Sequence, residues 1–159
     1  MTLTLANQEK LWDLMKPMKV AMLVTEDKDF LRARPMELVQ DEFDGKLYFY
    51  TDKDDEKNSE IKENAKVCVI FSDLENNQYI SISGKAVVES KSDLIDKYWS
   101  PFVAAWFPNG QDQASIIEID CQRAEYWDST SSQMKVLYEV AMANLTKSKP
   151  HLGENIKMS

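Results

Sequence analysis

The spacing of hydrophobic positions changes twice in the first third of the chain. In "NQEKLWDLMK" (7–16), Leu11, Trp12, Leu14 and Met15 recur at helical spacing, with Asn7 or Thr4 available as a cap and Pro17 ending the run. This predicts a short amphipathic helix. The next stretch, "KVAMLVTED" (19–27), is apolar and partly β-branched, which predicts a buried strand closed by a polar turn at 27–29. "FLRARPMELVQ" is its expected hairpin partner. Asp44-Gly45 is the strongest turn signal in the chain and lies between "ELVQ" and "KLYFYT", so a three-stranded antiparallel meander is expected by Thr51.

Beyond Thr51 the charged stretch "DKDDEKNSEIKENA" predicts a short helix over 57–64, with Ile61 and Ala65 turned inward. "KVCVIFSD" (66–73) reads as a central strand and "YISISGKAVVES" (79–90) as a long alternating one, with Gly84 as a candidate bulge. Helical spacing returns at Leu94, Ile95, Tyr98 and Trp99 and is broken by Pro101 and by "PNG". "SIIEIDCQRAEYWD" supplies one or two closing strands. "SQMKVLYEVAMANL" supplies a last helix, with Met134, Leu137, Val140, Ala141 and Leu145 on one face. No internal repeat or linker interrupts this order. A single domain over 1–146 is expected, followed by a frayed tail over 147–159. Six or seven strands joined mostly by hairpins favour a small Greek-key or meander barrel with helices outside, an open α+β sandwich being the alternative.

Composition narrows the classes. A chain of 159 residues with 43% hydrophobic and 29% charged residues is expected to build one core. Its net charge of −8 argues against non-specific nucleic-acid binding, which depends on Lys and Arg neutralising phosphates. Cys68 and Cys121 show no metal-ligand spacing and His151 is the sole histidine, so no metal site is expected; Cys68 reads as a small buried hydrophobe. No run is long and apolar enough to span a membrane and no leader is evident, which makes the cytoplasm the expected compartment.

Candidate chemistry starts at "FLRARPM". On a strand, Arg32, Arg34 and Met36 share one face, which sets the two guanidiniums about 7 Å apart. Pro35 donates no backbone hydrogen bond, so the strand is at an edge, at a bulge, or faces something other than a strand. Such a pair either binds an anion, for which the guanidinium fork suits phosphate, or pairs with the chain's own carboxylates. Lys57 heads a short helix, where free N–H groups favour a phosphate. Thr51 ends the strand before it. Trp106 and Phe107 precede Pro108-Asn109-Gly110 and offer either core packing or a flat wall for an aromatic ligand or a partner subunit.

In order and spacing, "RARPM", "LYFYTDKDDEKNSEI", "VCVIFSD", "YISISGKAVV", "WFPNGQD" and "AEYWD" resemble the general stress proteins of the pyridoxamine 5′-phosphate oxidase-like split-barrel superfamily, over residues 8 to 146. The resemblance implies a mainly β fold, a six-stranded antiparallel split β-barrel with flanking helices. It also implies a homodimer with FMN, or else FAD or a deazaflavin, in the grooves between subunits. Arg34 and Lys57 match phosphate ligands, and Arg32 matches a less constant position. Pro35, Met36, Tyr50 and Thr51 match the lining of the ring and ribityl side. Trp106 and Phe107 are expected from the second subunit. The arginine- and histidine-bearing C-terminal segment of the true pyridoxamine phosphate oxidases is missing, so vitamin B6 oxidation is not expected.

The function so implied is an FMN-binding general stress protein, with oxidation of a reduced nicotinamide as its candidate reaction. No catalytic residue is assigned, because the flavin carries the redox step. A non-catalytic flavin-binding or storage module and a cofactor-free interaction domain are the alternatives.

Overall fold

The computed structural model of the chain describes residues 3–129, 133–151 and 153–159. Helix α1 (Leu5–Met15) starts at Thr4, whose side chain accepts from the Asn7 amide, and buries Leu11, Leu14 and Met15. Seven strands then form one antiparallel sheet: β1 (Val20–Asp27), β2 (Phe30–Glu37), β3 (Lys46–Asp52), β4 (Lys66–Asp73), β5 (Gln78–Glu89), β6 (Ala114–Ser129) and β7 (Gly153–Met158). Helix α2 (Glu56–Glu63) connects β3 to β4. Helices α3 (Ser92–Lys97) and α4 (Pro101–Ala104) connect β5 to β6, and α5 (Gln133–Thr146) precedes β7.

The strand path is β2-β1-β4-β5-β6-β3, and β7 pairs β6 off that path. The sheet curls into a half-barrel. Its two path ends, β2 and β3, approach each other without sharing a ladder, which is the split in the barrel. Alternation supplies the interior: Leu23 from β1, Phe49 from β3, Val69 and Phe71 from β4, Ile80 and Ile82 from β5, and Ile117 and Ile119 from β6 are fully buried. Each such side chain contributes about 1.5–3 kcal/mol on burial. A second, smaller core lies outside β3 and β6, where Tyr48, Ile95, Val103, Phe107, Ala114 and Ile116 pack and hold the α3–α4 segment to the sheet.

Four expectations change. The three-stranded meander does not form: β3 pairs β6, from Lys46↔Asp120 to Asp52↔Ala114, while β2 pairs only β1. The segment after β2 takes the place of a ladder. Gln40 is buried, accepts from the Tyr48 amide at 2.9 Å and donates to the Glu42 and Lys46 carbonyls. Residues expected to fray instead form β7, with Met158 buried against Ala124. The apolar face expected for α5 is not covered within the chain, since Leu137, Val140, Ala141 and Leu145 are exposed and Ala143 is the buried contact; the Met134 side chain lies outside the described residues. Cys68 is half-buried on the outer sheet face, 3.5 Å from the Ser81 hydroxyl.

Gly84 does mark a bulge, with the β5–β6 register shifting at Ser83/Gly84. A Cβ there would lie 2.1 Å from the Asp120 carbonyl oxygen, so the strands close up only around glycine.

Candidate functional site

The split leaves β2 and β3 with unpaired edges, and a groove runs between them. Alternation turns the Tyr50 N–H and C=O to the same free side as the Tyr48 amide. From β2 the groove takes Pro35 and Met36, from β3 Tyr50 and Thr51, and from α2 Lys57. Phe102, Val103, Trp106 and Phe107 close it from the α4 side. This cavity holds about 490 Å³, inside the usual range for small-molecule sites, about 300–1,000 Å³.

Its wall is aromatic. Tyr50 lies edge-on to Trp99 at 5.9 Å and tilted against Phe107 at 6.0 Å, and Phe107 is only 6% exposed. Trp106 is 72% exposed on the rim. The Tyr50 hydroxyl donates to the Ile95 carbonyl at 2.5 Å. Burial, with Asp96 and Tyr98 adding to it, pushes that phenol up to about 12, so it stays protonated at neutral pH. Thr51 is buried, and its hydroxyl lies 3.1 Å from Asn58 Oδ1 in the first turn of α2 and 3.2 Å from the Asp52 carbonyl, both acceptors of its proton within the chain.

A second cavity of about 450 Å³ adjoins the first and shares Pro35, Met36 and Lys57 with it. Arg32 and Arg34 line this part, together with Asp54, Asp55 and Glu56. Its cations are already partnered. Glu60, on α2 with a side chain 7% exposed, receives Arg34 Nη2 on Oε2 and Arg32 Nη1 on Oε1, both at 2.8 Å. Arg34 Nη1 also donates to the Thr25 hydroxyl at 2.6 Å, and Thr25 donates to Glu60. Burial acts to raise the Glu60 carboxyl pKa, but the Thr25 hydroxyl and the two guanidiniums outweigh it and hold it below the ordinary value. Asp55 caps α2 by accepting from the Lys57 amide at 3.0 Å, and its other oxygen lies 2.7 Å from Lys57 Nζ.

The groove therefore gathers Pro35, Met36, Tyr50, Thr51, Lys57, Trp106 and Phe107 in one cavity, with Arg32 and Arg34 in the adjoining one. Trp106 and Phe107 line their own chain's groove, and Phe107 is fixed in that chain's second core. One detail differs from expectation: the α2 N-terminus is not an open anion site, because Asp55 already caps it. Glu60 and Thr25 escaped the sequence reading because a strand-to-helix ion pair leaves no periodic signal. Asp55 did leave one, as an Asp just ahead of a helical run. Phe102 and Val103 read as ordinary apolar residues of a short helix. Among the described residues no cluster of His, Cys, Asp or Glu is placed to hold a metal ion. Burial pushes the Cys121 thiol up to about 12, which removes it from thiol chemistry.

The family model for pyridoxamine 5′-phosphate oxidase-like proteins matches residues 6–151. The chain belongs to this family. The chain is 28% identical over 118 residues to General stress protein 26 of Bacillus subtilis, covering 72% of this chain and 82% of that protein. The crystal structure of a putative general stress protein 26 from Jannaschia sp. superposes with a TM-score of 0.70 at 23% identity, covering 94% and 95% of the two chains, a likeness of fold. The general stress FMN/FAD binding protein of Xanthomonas citri superposes with a TM-score of 0.71 at 28% identity, covering 81% of this chain and 93% of that one. As a pyridoxamine 5′-phosphate oxidase-like protein, the chain places its groove at the split of the barrel, between the free edges of β2 and β3.

Proposed function

We propose that this protein is a flavin-binding general stress protein that takes FMN in the divided groove and acts as an oxidoreductase toward a reduced nicotinamide. The observation that carries the reading is the continuity of the groove: an aromatic cavity and a cation-bearing one meet at Pro35, Met36 and Lys57. A flat tricyclic ring suits the first part and a phosphate the second. The FMN/FAD binding named for the Xanthomonas citri protein supports the same choice.

When bound, the flavin supplies reversible electron transfer. The chain's residues bind and orient: Pro35, Met36 and the Tyr50 backbone flank the ring, and Lys57 and Arg34 take the phosphate end. Trp106 covers the open side. Tyr50 supplies no general base at neutral pH, because its phenol stays protonated and its proton is held by the Ile95 carbonyl.

The reading includes a homodimer. Leu137, Tyr138 and Leu145 on α5 and Val20 and Met22 on β1 are exposed apolar side chains, of the kind that a partner subunit covers. It also places the protein in the cytoplasm, where two unpaired thiols persist, and no helix among the described residues is long and apolar enough to cross a membrane.

The test is visible absorption after incubation with excess FMN and desalting. Near-stoichiometric flavin absorbance is expected in the wild type. Arg34→Ala with Lys57→Ala is expected to abolish it, each charge-assisted contact being worth about 1.5–3 kcal/mol. Trp106→Ala, at an exposed position, is expected to weaken retention without unfolding the protein. No flavin in the wild type with FMN, FAD or a deazaflavin would overturn the reading.

A further inference from the structure

Lys57 stands where the two cavities meet, and its ammonium already has an anion. Its side chain is 10% exposed, and Nζ lies 2.7 Å from Asp55 Oδ2. Arg32 and Arg34 are likewise engaged, on Glu60. Asp54, Asp55 and Glu56 face the same cavity as the three cations, so a phosphate arrives at a subsite whose charge is balanced. The two kinds of partner differ in what their release costs. Glu60 is buried and carries both guanidiniums, so freeing them strands an ion away from water. Asp55 is 40% exposed and can turn to solvent. Burial acts to raise the Asp55 carboxyl pKa, but hydrogen bonds from the Lys57 side chain and amide, with Arg34 nearby, outweigh it and hold it below the ordinary value. Asp55 is therefore ionised at neutral pH.

Resting on the flavin reading, we propose that Asp55 is a specificity-determining residue of the phosphate subsite: phosphate must compete with Asp55 for Lys57, so the chain prefers FMN over riboflavin far less than its three cations suggest. A dianion that approaches the ammonium meets a carboxylate that already neutralises it and that repels the newcomer. An uncharged ribityl end leaves the Asp55–Lys57 pair intact.

The test titrates FMN and riboflavin, by flavin fluorescence, into the full chain as wild type, Asp55→Asn and Glu63→Gln. Asparagine keeps the α2 cap, so the helix start survives. Glu63 is exposed at the far end of α2 and tests for a general effect of net charge. Asp55→Asn is expected to raise the ratio of FMN affinity to riboflavin affinity about tenfold, the scale of one charge-assisted contact, with Glu63→Gln leaving it unchanged. An unchanged or lower ratio in Asp55→Asn, or an equal rise in Glu63→Gln, would overturn the proposal while leaving the flavin reading standing. Binding of neither flavin by any of the three proteins would overturn both.

Discussion

Glu60 holds two guanidiniums and a threonine hydroxyl on one buried carboxylate, and its removal strands what it holds. Glu60→Ala leaves Arg34, 17% exposed, without its anion, while Arg32 keeps Glu56 at 3.3 Å and Asp27 at 3.6 Å. Breaking a buried pair costs about 3–5 kcal/mol, and the partial exposure of Arg32 sets the expectation at the lower end, about 3 kcal/mol in urea unfolding at pH 7. The carboxyl pKa is lowered in the folded state, so its stabilisation is full above the unfolded value, about 4.3, and fades as pH falls through the folded one. The gap between wild type and Glu60→Ala should therefore narrow as pH drops below about 4. A gap that stays constant down to pH 2 would mean that the loss came from packing.

At the scale of elements, the site depends on strands that end unpaired. β3 is fixed to β6, and β6 to β5, through a bulge that admits no side chain at Gly84. Gly84→Ala drives a methyl into the Asp120 carbonyl and is expected to cost about 1–3 kcal/mol, read by thermal or urea unfolding. The β6 half that carries β3 should suffer with it, so flavin retention should fall alongside stability. An alanine variant as stable as wild type would place the close approach elsewhere. The sequence indicated a bulge at Gly84, since a glycine inside an alternating strand has few other uses. It did not indicate that β3 would pair β6: Asp44-Gly45 is a strong turn signal, but Gln40 satisfies the Tyr48 amide that a hairpin partner would have taken.

For the whole molecule, the exposed apolar surface carries the expectation. Leu145 is 79% exposed on α5 and Leu137 is exposed about two turns earlier on the same helix, in a chain whose net charge of −8 otherwise favours solubility. Sedimentation should give twice the 18.4 kDa chain mass, and Leu137→Glu with Leu145→Glu should give the single-chain mass without loss of the sheet's circular dichroism. A wild-type monomer would mean that these faces serve another partner.

Local pattern alone was enough for much of this protein. It indicated the main helices, the extents of β1 and of β3 to β6 and the bulge at Gly84, because helical spacing, strand alternation and turn chemistry are properties of neighbouring residues, whereas β7 read as a frayed tail and the groove lining at Pro35, Met36 and Tyr50 came from the family resemblance. The tertiary structure decided which strands pair, that Glu60 and Asp55 occupy the cations of "RARPM" and α2, and that Phe107 belongs to its own chain's core. Pairing depends on which edges remain unsatisfied once the sheet curls, and ion pairs between β2 and α2 depend on a distance that more than twenty intervening residues leave unspecified.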